Sequence, residues 1–229
     1  MRKKDFKLIT NYMNSCMKDM VHDKNHVYRV LNFALLITEK ESINFNIDVD
    51  AVIIGAILHD IGREKEYQNK DICHAKAGSI MAYEFLLENN YKEDFAGHVR
   101  DIISSHRYSD KNHPKTIEAK IIFDADKLDL TGTVGVSRSL IFGSQISEPL
   151  YNIDDSGMPI NYKKDEKPSI YREYNRKLEN LYEDFYTEAA REIARNRQKS
   201  MDHYFHSMFS ENEELYRKGS LLLKNIVRN

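Results

Sequence analysis

The chain reads as all-α, a single-domain helical bundle with a long C-terminal helix. Three observations predict this fold class. Apolar residues recur three and four positions apart over most of the sequence, which is the spacing of one helical face. No run shows the strict alternation expected of a half-buried strand. The helical period fails over only one long interval, between Gly143 and Lys167.

The spacing predicts helices near residues 4–20, 24–41, 49–60, 72–89, 93–107, 115–130, 133–142 and 170–209. In the first, Phe6, Ile9, Met13, Cys16 and Met20 share a face. In the second, Val27, Val30, Leu31, Ala34 and Leu35 do, with His26 projecting from the first turn. The third is the most apolar stretch of the chain, Ala51 to Leu58, with Asp48 as N-cap and Gly62 as stop. His74 opens the fourth, capped by Asp71, and its stripe continues through Ala77, Met81 and Phe85. His106 closes the fifth, built on Val99, Ile102 and Ile103. Ile117, Ile121, Asp124 and Leu128 form one stripe of the sixth, which Gly132 stops. The last carries Tyr174, Leu178, Leu181, Phe185, Ile193, Met201, Tyr204 and Met208 at near-heptad spacing. Forty helical residues would extend roughly 60 Å, so that helix breaks or protrudes.

The organisation expected is one domain over 1–229. It comprises a core over about 22–140, an irregular loop over 143–168 holding Pro149, Pro159 and Pro168, and a helical clamp over 170–226. Apolar residues make up 41% and charged ones 31%, as in ordinary folded proteins. With 34 basic and 36 acidic side chains the net charge is -2, so no global field recruits polymeric nucleic acid. The two cysteines make no disulfide framework; Cys16 reads as a small core residue and Cys73 as a mere neighbour of His74. No signal-peptide core or membrane span is evident, which makes the cytoplasm the expected compartment. A homodimer through the far end of the last helix stays open.

His59 and Asp60 stand together at the end of the most apolar stretch. A buried carboxylate is costly without a charge partner, and a divalent cation satisfies both residues. Asp124 is a second costly burial, in the middle of a core-facing stripe. Taken singly, each residue has another explanation. A lone core His is usually just hydrogen-bonded, and Asp124 could be a capping or salt-bridging carboxylate near Lys127. Burying His26, His59, Asp60 and Asp124 together without a metal would leave several groups unsatisfied, at roughly 1 to 3 kcal/mol each.

A His, a later His-Asp pair and a distant Asp, all on helices, resemble the HD superfamily of metal-dependent phosphohydrolases, and His59-Asp60-Ile61-Gly62 matches its commonest motif variant. Asp124 to Asp129, then Gly135 to Arg138 and the Tyr-rich helix from Tyr171 to Phe209, are similar to its bacterial nucleotide pyrophosphohydrolase branch, over about His22 to Phe209. The resemblance implies His26, His59, Asp60 and Asp124 as ligands of one divalent metal. His74 and His106 resemble the second-metal pair of other members, some of which carry a further His where this chain has Arg107. Asp60 would then bridge the two ions, since a carboxylate has two oxygens to share. The donor set favours Mn, Fe, Co or Zn, and Mg could act beside phosphates.

The expected reaction is pyrophosphohydrolysis of a nucleoside triphosphate by a water that the metal makes acidic. Glu64 is the candidate for orienting that water. Lys65 and Lys127 are candidates for stabilising phosphoryl charge, Arg29 and Arg138 for binding substrate, and Asp129 for supporting a ligand. The loop over 143–168 is expected to cover the mouth of the site. Cleavage of other phosphate esters of nucleotides, a di-iron oxygenase and a non-hydrolytic nucleotide-binding module remain alternatives.

Overall fold

The most apolar stretch becomes a deeply buried helix. In the computed structural model, which describes residues 1–17, 24–107, 112–161 and 163–227, helix α3 (Val49–Leu58) is apolar on nearly every side. A helix with that pattern must be enclosed. It packs against α1 (Lys3–Cys16), α2 (Lys24–Glu41), α6 (Glu93–Ser104) and α7 (Ile117–Leu128). Asp48 caps it as expected, accepting from the Ala51 amide at 3.0 Å.

Helix α4 (Arg63–Gln68) follows α3 after a turn and lies on α5 (His74–Glu88), which packs in turn on α6. Residues 18–20, the expected end of the first helix, and 22, where the family resemblance begins, lie outside the described residues, as does 162.

The chain divides into two compact units. The first is Met1–Asp129 with Phe185–Ile193, and the second Leu130–Asp184 with Ala194–Asn229. The second holds α8 (Gly132–Gln145), the single turn α9 (Ile170–Glu173), a π-helical turn (Tyr174–Leu178), a 3-10 turn (Leu181–Asp184) and most of α10 (Glu188–Ile226). Its core is aromatic, with Tyr171 stacked on Phe209 and Tyr174 on Phe205, ring centroids 4.4 and 4.2 Å apart. Phe205 is the residue buried there, while its neighbour Tyr204 is exposed. The segment over 143–168 is irregular after Gln145, with a tight turn in which Asp154 accepts from the Ser156 and Met158 amides. Among the described residues no strand forms beyond a single bridge, Ile153 to Pro159. Nor is any described helix long and apolar enough to cross a membrane.

The helix expected over 170–209 is corrected on both counts. It is interrupted before α10, because Thr187 opens a new helix there: its Oγ1 accepts from the Ala190 amide at 3.3 Å. It also continues past 209 to Ile226. The third helix ends at Leu58 rather than at residue 60, and Cys73, not Asp71, precedes α5. Gly132 begins α8, with φ +65°, rather than ending α7.

Gly62 is required for close approach. A Cβ there would collide with the His74 carbonyl and lie 2.5 Å from the Gly78 nitrogen, so a side chain would push α5 away from the turn after α3. Gly62→Ala should therefore destabilise the fold by about 1 to 3 kcal/mol or more. Gly97→Ala meets nothing within 4 Å in α6 and should stabilise it by about 0.5 to 1 kcal/mol. Thermal unfolding of both variants tests the contrast; equal melting temperatures would remove the packing argument.

Candidate metal centre

Six buried or half-buried side chains converge within the first unit. His26 comes from the first turn of α2, and His59 and Asp60 from the turn after α3. His74 is the first residue of α5, His106 follows the end of α6, and Asp126 lies in the last turn of α7. They form two groups, His26–His59–Asp126 and Asp60–His74–His106, each with its potential ligand atoms within 4.8 Å of one another.

Asp60 faces both groups. Its Oδ2 is 3.6 Å from His26 Nε2 and 3.5 Å from His59 Nε2. Its Oδ1 is 3.6 Å from both His74 Nε2 and His106 Nε2. Asp126 Oδ1 adds to the first group, 3.4 Å from His26 Nε2 and 3.9 Å from His59 Nε2. The residue is 24% exposed and marks the open side of the group.

The outer nitrogens determine what the inner ones can do. His59 Nδ1 donates to the Ala56 carbonyl at 2.8 Å and His106 Nδ1 to the Ile103 carbonyl at 2.6 Å. His26 Nδ1 donates to Asp129 Oδ2 at 2.7 Å, and His74 Nδ1 to Glu66 Oε2 at 2.9 Å. Carbonyls and carboxylates only accept, so each neutral ring carries its proton on Nδ1 and a lone pair on Nε2. Yet the Nε2 atoms of His26 and His59 are 3.2 Å apart, and those of His74 and His106 3.3 Å. Asp60 Oδ2, aimed at the first pair, accepts no hydrogen bond. With the rings neutral, lone pairs and carboxylates brought this close make a candidate cation site, and the residues fit a divalent metal at each group.

The titration behaviour agrees. Burial opposes protonation of His26, but Asp126, Asp129 and Asp60 outweigh it and push its pKa up to about 10. Burial also works against ionising Asp60, yet Arg63 and His59 hold it well below the usual range, and His26 and His59 do the same for Asp126. His74 is pushed down to about 4, chiefly by burial, which leaves the neutral imidazole that a metal requires.

A further ring of charge supports these groups. Arg29 donates to both oxygens of Asp129, at 2.6 and 3.0 Å, so Arg29, Asp129 and His26 form one chain of hydrogen bonds. Arg63 Nε donates to Asp60 Oδ1 at 2.9 Å and Arg63 Nη1 to Glu66 at 3.2 Å. Arg107 reaches the other oxygen of Glu66 at 3.1 Å.

Several sequence expectations are redistributed. Asp124 belongs to neither ligand group. It is buried, but its oxygens accept from the Tyr186 amide (2.9 Å), the Thr187 amide (2.7 Å) and Thr187 Oγ1 (2.7 Å), so it fixes the start of α10. Asp126 stands where Asp124 was expected. Glu64 accepts from Gln68 at 3.0 Å on an exposed stretch, and Lys65 is exposed. Lys127 is buried with its amine over the Phe123 ring, 2.9 Å from the centroid. Arg138 lies half-buried on α8, in the second unit. Arg63 and Glu66 were missed. Their signal was their i, i+3 spacing after the His-Asp pair. Neither cysteine joins a group or forms a disulfide.

Comparison with known proteins follows the same lines. Residues 24–131 match the family model of the HD domain. The chain is 28% identical over 184 residues to YpgQ of Bacillus subtilis, an uncharacterised protein, covering 79% of each. A crystal structure of YpgQ in complex with ADP is similar with a TM-score of 0.70 at 27% identity, covering 91% of this chain and 95% of that one. An HD-superfamily hydrolase from Bacillus thuringiensis is similar at 25% identity and a TM-score of 0.69, covering 92% of this chain and 98% of that one. A predicted HD-superfamily hydrolase from an uncultured Thermotogales bacterium is similar at 25% identity and a TM-score of 0.62, covering 92% and 99%. Residues 24–131 are thus an HD domain, and this segment holds both His-Asp groups.

Proposed function

We propose that the protein is a metal-dependent phosphohydrolase acting on nucleotides, and that it splits a nucleoside triphosphate into monophosphate and pyrophosphate. The observation that carries this reading is the convergence of four imidazole nitrogens and two carboxylates around an Asp60 that faces both groups. The relative crystallised with ADP supports a nucleotide as the ligand.

In the reaction a water oxygen bonds to the α-phosphorus, and the bond from that phosphorus to its bridging oxygen breaks to release pyrophosphate. Divalent cations held by His26, His59 and Asp126 and by Asp60, His74 and His106 would supply an acidified water and neutralise phosphoryl charge. The chain's own residues do the rest. Asp129 and Glu66 hold His26 and His74 in the tautomer that presents Nε2 inward. Arg63 and Arg107, both partly exposed and both tied to Glu66, are the guanidinium groups beside the second group that can receive phosphoryl oxygens. Asp126 lies at the solvent-facing side, where a water can hydrogen-bond to its free lone pairs.

Hydrolysis of a panel of nucleoside triphosphates, monophosphates and cyclic dinucleotides, with Mn, Co, Mg or chelator, should yield monophosphate plus pyrophosphate only with metal. Absence of turnover on every nucleotide would end this reading. Asp126→Asn should lower metal affinity and reduce kcat/KM by about a hundredfold or more. Asp124→Ala should instead retain metal and lose about 2 to 4 kcal/mol of stability, because it strands the donors at the start of α10. Metal analysis with thermal unfolding separates the two roles.

The metal-free protein should also show a particular pH dependence. The folded pKa of His26, about 10, is above the 6.5 of an unconstrained His, so protonation favours the folded state. The resulting stability is fully present below pH 6.5 and is lost as pH rises through 10. Chelator-treated wild type should therefore lose melting temperature across that window more steeply than chelator-treated His26→Gln; parallel profiles would contradict the assignment.

A further inference from the structure

We propose that Arg63 and a second cation compete for one oxygen of Asp60, so that the two ligand groups load unequally. The His26–His59–Asp126 group fills first, and the His74–His106 group binds about tenfold more weakly or worse. This rests on the metal-centre reading given above.

The asymmetry lies in the two oxygens of a single carboxylate. Oδ2, facing His26 and His59, accepts no hydrogen bond and is available to a cation. Oδ1, facing His74 and His106, already accepts from Arg63 Nε at 2.9 Å. A metal ion entering the second group meets that guanidinium on the oxygen it must share, and the two positive charges repel.

Ligand charge reinforces the difference. The first group draws on two carboxylates, Asp60 and Asp126, whereas the second has Asp60 alone. Glu66 does not restore the balance. It is spent on His74 Nδ1 at 2.9 Å, and Arg63 at 3.2 Å and Arg107 at 3.1 Å counter its charge.

Arg63 is not locked in place. Its side chain is 22% exposed, and its Nη1 already bonds to Glu66, so leaving Oδ1 breaks one of two anchorages. A phosphate group would offer the guanidinium a bidentate replacement. Substrate anion and second cation would then each favour the other's binding, as linkage requires. Arg63 is thus a positioning residue that ties completion of the two-metal site to the arrival of phosphate.

Chelator-stripped full-length protein titrated with Mn²⁺ by calorimetry, with parallel electron paramagnetic resonance, tests this. In wild type the first equivalent should bind about tenfold or more tightly than the second, and the mononuclear six-line signal should persist until the second equivalent is added. Arg63→Gln should tighten the second step more than the first, until the two differ by less than about threefold. Arg63→Met serves the same purpose if circular dichroism shows the Gln variant unfolded. Two equal steps in wild type, or a gap that persists in the variant, would overturn the proposal. Failure of wild type to bind Mn²⁺ at all would instead overturn the metal-centre reading, and this proposal with it.

Discussion

Everything else in the first unit serves the shared carboxylate of Asp60. Its oxygens face two pairs of imidazole nitrogens, and all six atoms are acceptors in the neutral state. Burying such a set is unfavourable by several kcal/mol per charged group unless positive charge is brought in. Within the protein that charge comes from Arg63 on one side of Asp60 and from protonation of His26 on the other. Neither fills the space between the paired nitrogens as a divalent cation would. The bundle is therefore a folded frame around a binding demand, and metal uptake would stabilise it by mass action.

The frame meets that demand by using helix ends rather than helix faces. Adjacent residues inside a helix diverge by about 100°, which would send His59 and Asp60 to different places. Beyond Leu58 the chain turns, and Asp60 Oδ2 comes within 3.5 Å of its neighbour's Nε2. His74 and His106 likewise sit at or beyond the ends of α5 and α6. End positions leave carbonyls without helical partners. Those of Ala56 and Ile103 accept the outer nitrogens of His59 and His106, so the same loose ends that terminate α3 and α6 orient their ligands. Gly62 lets this turn press against α5, which brings Asp60 within 3.6 Å of His74 Nε2.

Most of this was legible where chemistry and periodicity agree. An apolar run ending in His59-Asp60 gave the buried pair, and the stripes beginning at His26 and His74 gave their partners. Legibility failed where two explanations compete for one burial. Asp124 lies on the core-facing stripe of α7 with Ile121 and Leu128, and the stripe says only that its carboxylate is buried. Its partners, Tyr186 and Thr187, are more than sixty residues away along the chain. Glu64 and Lys65 looked plausible from proximity to the pair, yet one helical turn beyond Asp60 points Arg63 back at it instead. The break before α10 carries no Pro or Gly, so only the distant carboxylate that captures its amides reveals it.

The segment Asp124 to Asp129 shows why three carboxylates can share six residues without destabilising the fold through mutual repulsion. They are separated by direction rather than by sequence distance. Asp124 points to the amides at the start of α10, Asp126 to the paired nitrogens of His26 and His59, and Asp129, spaced three residues from Asp126, to the outer nitrogen of His26 and to Arg29. Like charges this close would each raise the others' pKa if left in one environment. Here Asp126 and Asp129 lie at opposite nitrogens of a single ring, so protonated His26 is held between two anions. One helical turn therefore both closes the bundle and sets the charge of the centre. A change at Asp124 acts on the first of these roles, and a change at Asp126 on the second.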